Sequence, residues 1–135
     1  MRATLTMPAE LKKMMEDLAR LEKDGIDAVA REMIDAGADV ALEGMLKRVP
    51  VRKVRGGRLK SYLSRTPVKG DGNRVYAQIG LINAPADVAR YGTAQEFGTS
   101  RHAAQSYMRA TMKQDRAKIY RAMKAVMKAR LEKYG

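Results

Sequence analysis

From residue 103 to residue 133 the chain contains no proline and no glycine. So long a run without a breaker predicts one helix, about 46 Å long at about 1.5 Å per residue. At about 100° per residue, Met108, Met112, Ile119, Met123 and Val126 fall within about 60° of one another. Lys113, Arg121, Lys124 and Lys128 fall roughly opposite, so the helix is amphipathic with a basic back. A compact domain of 135 residues has a radius of gyration of about 14 Å. A helix of that length is therefore expected to protrude, or to lie along a neighbouring subunit.

The rest of the chain must supply what this helix packs against. Residues 8–23 predict a first helix, with Pro8 suited to its first position and Leu11, Met14, Met15, Leu18 and Leu21 at helical spacing. Asp24-Gly25 breaks it. Residues 26–47 predict a second helix with Ile26, Val29, Met33, Ala36, Val40 and Leu46 on its apolar side, stopped by Pro50. Gly37 and Gly44 weaken it by about 1 kcal/mol each relative to alanine. Residues 51–58 are basic, contain Gly56-Gly57 and predict an exposed loop. Residues 59–66 suit a strand or a helical turn. Residues 74–82 predict a strand, because Val75, Ala77, Ile79 and Leu81 alternate. Lys69-Gly70-Asp71-Gly72-Asn73 between them is turn chemistry, so the two make a β-hairpin. Residues 83–101 read as irregular, with a short helix over 86–91. The fold class that follows is α+β, a small antiparallel sheet built on the 59–82 hairpin, open to one added short strand, against N-terminal helices and the long C-terminal one. Length and composition predict a single domain over 1–135, with 1–25 a helix and turn free to move and 26–135 the core.

Charge is distributed unevenly. There are 27 Lys+Arg against 15 Asp+Glu, a net of +12. Residues 1–50 carry 8 basic and 10 acidic side chains, residues 51–100 carry 9 and 3, and residues 101–135 carry 10 and 2. Three readings fit: nucleic-acid binding, stacking of a basic face on an acidic face of a copy or partner, and a merely solvated surface. Arg52, Lys53, Arg55, Arg58 and Lys60 form the densest cluster, in a loop able to touch phosphates. No aromatic side chains interleave it for base stacking, and no helix-turn-helix, zinc-finger or RNA-recognition pattern is present.

Catalytic chemistry has little to work with. With no cysteine and one histidine, disulfides and thiolate metal sites are excluded and a zinc site has few ligands. No phosphate-binding or dinucleotide-binding glycine pattern occurs; Gly70-Asp71-Gly72 is followed by no helix. No cofactor is expected. His102 reads as an exposed loop residue and Glu96 as a structural hydrogen-bond acceptor rather than a catalyst. No apolar run approaches the roughly 18 residues of a membrane span, and the N-terminus lacks the apolar stretch of a secretory signal.

Residues 91–112 read YGTAQEFGTSRHAAQSYMRATM. This stretch resembles the signature of a family of small tail components of long-tailed phages and prophages, the neck, head–tail joining or tail-completion proteins. The family pattern is an aromatic residue, a vEfGT-like box, a short variable loop and a PFLRPAL-like opening of the last helix. Here Tyr91 is followed by Gln95-Glu96-Phe97-Gly98-Thr99, and later by Ser106-Tyr107-Met108-Arg109-Ala110-Thr111-Met112. Upstream, Val49-Pro50-Val51 leading to Gly57-Arg58-Leu59-Lys60-Ser61 is similar to the family's proline, small loop and LrxS-like turn. The order of elements agrees, and the resemblance covers roughly residues 26–130. Ser106 and Ala110 stand where prolines are usual and Tyr107 where a phenylalanine is, so a softer bend and an earlier start of the last helix are expected.

The box also has a reading from its residues alone. Phe97, the only phenylalanine, should anchor the loop in the core. Gly98 permits a positive φ or a close backbone approach. Thr99 or Ser100 can cap the long helix or the turn before it. Glu96 can pair with Arg109 or Arg90. The resemblance implies a virion structural protein without catalytic activity, forming a ring of copies between head connector and tail, with host-cytoplasmic assembly. Its contact surfaces would be the 52–60 loop and the basic back of 113–128, facing acidic neighbouring rings or, non-specifically, DNA. The rival reading is a small basic nucleic-acid-binding protein, resting on charge alone. A small basic nuclease fits the charge too but lacks an acid/base cluster.

Overall fold

The computed structural model describes residues 1–21, 25–51, 57–70 and 74–134. The elements run β1 (Arg2–Thr6), α1 (Ala9–Leu21), α2 (Ile26–Arg48), α3 (Arg58–Ser61), β2 (Leu63–Arg65), β3 (Tyr76–Leu81), α4 (Ala86–Phe97), α5 (Met108–Gln114) and α6 (Arg116–Leu131), closed by a 3-10 turn at Glu132–Tyr134. The class is α+β, as the patterning requires.

The sheet is antiparallel in the order β1-β3-β2. β3 is central, with Arg2 opposite Gly80 and Thr6 opposite Tyr76 on one side, and Leu63 opposite Leu81 on the other. The hairpin partner of β3 is therefore the expected one. The 59–66 ambiguity resolves both ways, since α3 takes its start and β2 its end. β1 is the element the helical periodicity hid. Its alternation is short, with only Leu5 fully buried, and the ladder to β3 makes it a strand.

α2 is the floor of the fold. It packs against α6, β3, β2, α5, α1 and β1. Val29, Met33, Ile34, Ala38, Ala41 and Met45 are buried along it and share one core with Leu5, Leu11, Leu18, Ile79, Ile119, Met123 and Met127. Gly44, which weakens the helix locally, lets Thr111 of α5 and Asp115 approach closely. A Cβ there would lie 2.7 Å from the Thr111 Cγ2 and against the Asp115 carboxylate.

The single helix predicted over 103–133 is corrected in three respects. Residues 103–107 are irregular and helix starts only at Met108, later rather than earlier than expected. The helix is interrupted at Asp115, whose φ of −97° and ψ of 9° depart from helical values. It does not stand away from the domain: α6 lies along α2, a helix of 23 residues and about 35 Å. Asp115 explains the interruption. It is 8% exposed, and Arg48 of α2 donates to both of its carboxylate oxygens, at 2.7 and 3.0 Å. Arg48 also reaches the Thr111 hydroxyl at 3.2 Å. The amphipathic reading holds, with Ile119 and Met123 buried and Lys113, Arg121, Lys124 and Lys128 exposed.

Candidate functional site

The Gln95–Thr99 box lies at the end of α4, which runs six residues past the short helix expected over 86–91. Gly98 ends α4 with φ of +79°, a conformation that disfavours side chains, and its N–H donates to the Ala94 carbonyl at 2.7 Å. The Thr99 hydroxyl then accepts from the Arg101 and His102 N–H groups at 3.2 and 3.1 Å, while the Thr99 N–H donates to the His102 carbonyl. Thr99 thus closes a turn and does not cap the last helix. Gln105 N–H reaches back to the Gln95 carbonyl at 2.7 Å, returning the chain to α4.

That return delivers residues 106–109 to Glu96, which is 1% exposed. Its Oε1 accepts from the N–H groups of Met108 at 2.5 Å and Arg109 at 3.2 Å. Its Oε2 accepts from the Ser106 hydroxyl and from Arg109 Nε, the latter at 3.1 Å. The same guanidinium donates through Nη2 to the Glu96 carbonyl at 2.6 Å. Met108 and Arg109 open α5, whose own N-cap residue Tyr107 makes no side-chain cap. Glu96 therefore caps α5 from another helix, satisfying N–H groups that would otherwise be orphaned and placing a negative charge at the positive end of the helix. Burial opposes ionisation of Glu96, but Ser106, Arg109 and the two backbone N–H groups outweigh it and hold the carboxyl below the usual glutamate range.

Tyr107 is fully buried beside this staple. Its hydroxyl donates to the Gly92 carbonyl at 3.2 Å, and its own carbonyl accepts from the Thr111 hydroxyl at 2.6 Å. Burial, and then the Glu96 charge, push its phenol up to about 12. Met108 is also buried, and Tyr91 half-buried.

Phe97 is the correction within the box. It is 55% exposed and does not anchor the core. Neighbours on a helix are about 100° apart, so burying Glu96 turns Phe97 outward. The Arg109 guanidinium lies 4.4 Å from its ring centroid. A shallow surface depression lined by Ala89, Arg90, Thr93 and Ala94 adjoins it. Of the two arginines considered for Glu96, Arg109 is the one that pairs.

The upstream motif is partly described. Pro50 is half-buried and Leu59 buried. Gly57 starts α3 at φ of +90°. Arg58 pairs with Asp87 at the start of α4, both well exposed; Asp87 is lowered chiefly by that hydrogen bond. Lys60 is exposed. Arg52, Lys53 and Arg55 lie outside the described residues. His102 is an exposed loop residue. Sequence reasoning missed the Arg48–Asp115 pair, in which Arg48 holds the Asp115 carboxyl below its ordinary range. The signal was one acid, Asp115, alone in an otherwise basic stretch from 97 to 131.

The profile of the family described as "Bacteriophage HK97-gp10, putative tail-component" matches residues 12–98. The chain belongs to this family. No curated protein and no solved structure matches it. The match runs from α1 through Gly98, so this tail-component family covers the Glu96 half of the staple. The Ser106–Arg109 half, α5 and α6 lie beyond it. Membership supports a structural role in the phage particle and contacts with other phage structural proteins. Among the described residues, no helix is long and apolar enough to cross a membrane.

Proposed function

We propose that this tail component is a non-catalytic single-domain piece of the virion neck, assembled in the host cytoplasm, that joins or completes the head–tail connection as one subunit of a ring. The observation that supports the reading best is how the Glu96 carboxylate is used. It is the buried acid of the family-like box, and both of its oxygens are engaged in holding α4 to α5. A carboxylate so engaged serves geometry, fixing the angle between the sheet-side helix and the long C-terminal pair. It also sets Phe97 and Arg109 outward, the residue types enriched where protein surfaces meet.

Its contact surfaces, on this reading, are the basic 52–60 segment, of which Arg58 and Lys60 stand on α3 and not in the expected loop, the Phe97 face of α4, and the basic back of 113–128. Copies around an axis meet through two different faces, as any closed ring requires. The test is complementation of a phage lacking this gene by the Arg58→Glu, Lys60→Glu double variant, after circular dichroism shows the fold intact. The expected result is unjoined heads and tails by electron microscopy. Joined particles at wild-type yield would overturn the reading.

A further inference from the structure

The back of α6 makes no ion pair with any described residue, whereas seven of the described acids elsewhere in the fold are each held by a cation. On α2, Asp35 and Asp39 bind Arg65, Glu43 binds Lys47, and Glu32 approaches Arg130 at 3.9 Å. Asp87 has Arg58, Glu96 has Arg109 and Asp115 has Arg48. On α1, Glu10, Glu16 and Asp17 are interspersed with Lys12, Lys13 and Arg20, so that helix has no net charge. Against this, Arg121, Lys124 and Lys128 are all exposed, and the sequence from Arg116 to Leu131 contains no acid at all.

The three cations form a stripe. At about 100° per residue they fall within about 60° of one another, and their mean direction lies about 130° from that of the buried Ile119, Met123 and Met127. They extend over about 10 Å of helix. The one aromatic residue beside them is Tyr120, half-buried and four residues before Lys124, and its ring face is covered by the Arg116 guanidinium, 5.1 Å from the centroid.

We propose that this stripe is a sequence-independent contact for the phosphate backbone of duplex DNA. A second copy of the chain fits it less well. Seven of the acids such a copy would offer are already held by its own cations, and those of α1 are matched by Lys12, Lys13 and Arg20. A polyanion instead brings unpaired negative charge and is attracted by the whole molecule. With the flanking Tyr120 ring half-buried and covered by Arg116, the stripe offers cations rather than an open ring, which favours phosphate contact over base stacking. The inference rests on reading 113–128 as a contact surface, and not on the position in the neck.

The test uses the purified full chain and fluorescence anisotropy with two 30-base-pair duplexes of unrelated sequence, over a salt series. The comparison is between wild type, a stripe variant (Arg121→Gln, Lys124→Gln, Lys128→Gln) and a control with the same charge change on α1 (Lys12→Gln, Lys13→Gln, Arg20→Gln). Expected are equal affinities for the two duplexes and a salt slope, in log–log form, that falls by about 2.7 in the stripe variant, about 0.9 per phosphate contact. The α1 control should retain most of the wild-type slope. Equal loss in both variants would overturn the proposal, because bulk charge and not the stripe would then carry binding. Absence of wild-type binding at low salt would overturn it too. So would light scattering that shows wild-type oligomers without DNA and their loss in the stripe variant, assigning the stripe to a second copy. Full complementation by the Arg58→Glu, Lys60→Glu variant, with DNA binding by the stripe intact, would instead count against the neck reading alone.

Discussion

Replacing Glu96 by glutamine changes one buried atom and one charge, and the structure says what each is worth. An amide oxygen in the Oε1 position can still accept from the Met108 and Arg109 N–H groups. The amide nitrogen then faces Arg109 Nε, donor against donor, and Ser106 must turn its hydroxyl to accept. Hydrogen bonds to a charged partner contribute about 1.5–3 kcal/mol, and the charge at the α5 N-terminus adds up to about 1 kcal/mol. The Arg109 side chain is 57% exposed, so the ion-pair share is discounted towards the surface value of about 1 kcal/mol or less. A destabilisation of about 3 kcal/mol remains. Unfolding a chain of 135 residues carries about 280 cal/mol/K of entropy, so the melting temperature should fall by about 10 °C at pH 7. Differential scanning calorimetry measures it. The Glu96 carboxyl is depressed in the folded state, so its contribution is present above the unfolded value and lost as pH falls through the folded one. The gap between wild type and Glu96→Gln should therefore close below about pH 4. A gap under about 2 °C at pH 7, or one unchanged in acid, would refute the staple. An unchanged melting temperature with lost assembly would make Glu96 an interface residue.

Three further outcomes follow from the packing. Gly44→Ala gains about 1 kcal/mol of helix propensity, but its methyl group meets Thr111 and Asp115; overpacking of about 1–3 kcal/mol should win, lowering the urea midpoint. Tyr107→Phe removes a buried donor to the Gly92 carbonyl and should lower stability by about 1 kcal/mol, while its ultraviolet titration should lack the step that Tyr107 contributes near pH 12 in the wild type. Phe97→Ala, at a 55% exposed position, should change stability by less than about 1 kcal/mol yet lower the yield of joined particles in complementation. A large fall in melting temperature would show Phe97 acting as a core anchor after all.

Local pattern alone determined a good part of this protein. Helical spacing located α1 and α2 to within two residues, and alternation from Val75 to Leu81 located β3, because burial of one face leaves a period in the sequence whatever the face packs against. The opposed Met and Lys/Arg faces of residues 108–128 were legible for the same reason. The box was legible too, since Gly98 needs the positive φ that few other residues tolerate. Tertiary structure decided the rest. β1 is a strand because β3 has an open edge to pair with. The last helix begins at Met108 and not near 103 because its first N–H groups are capped by Glu96, twelve residues upstream of Met108 and on another helix. It is interrupted at Asp115 because Arg48 of α2 holds that carboxylate. Glu96 lies inside and Phe97 outside, against their ordinary hydrophobicity. A charge can be buried where a helix N-terminus, a hydroxyl and a guanidinium converge on it, and that convergence exists only once the chain has folded.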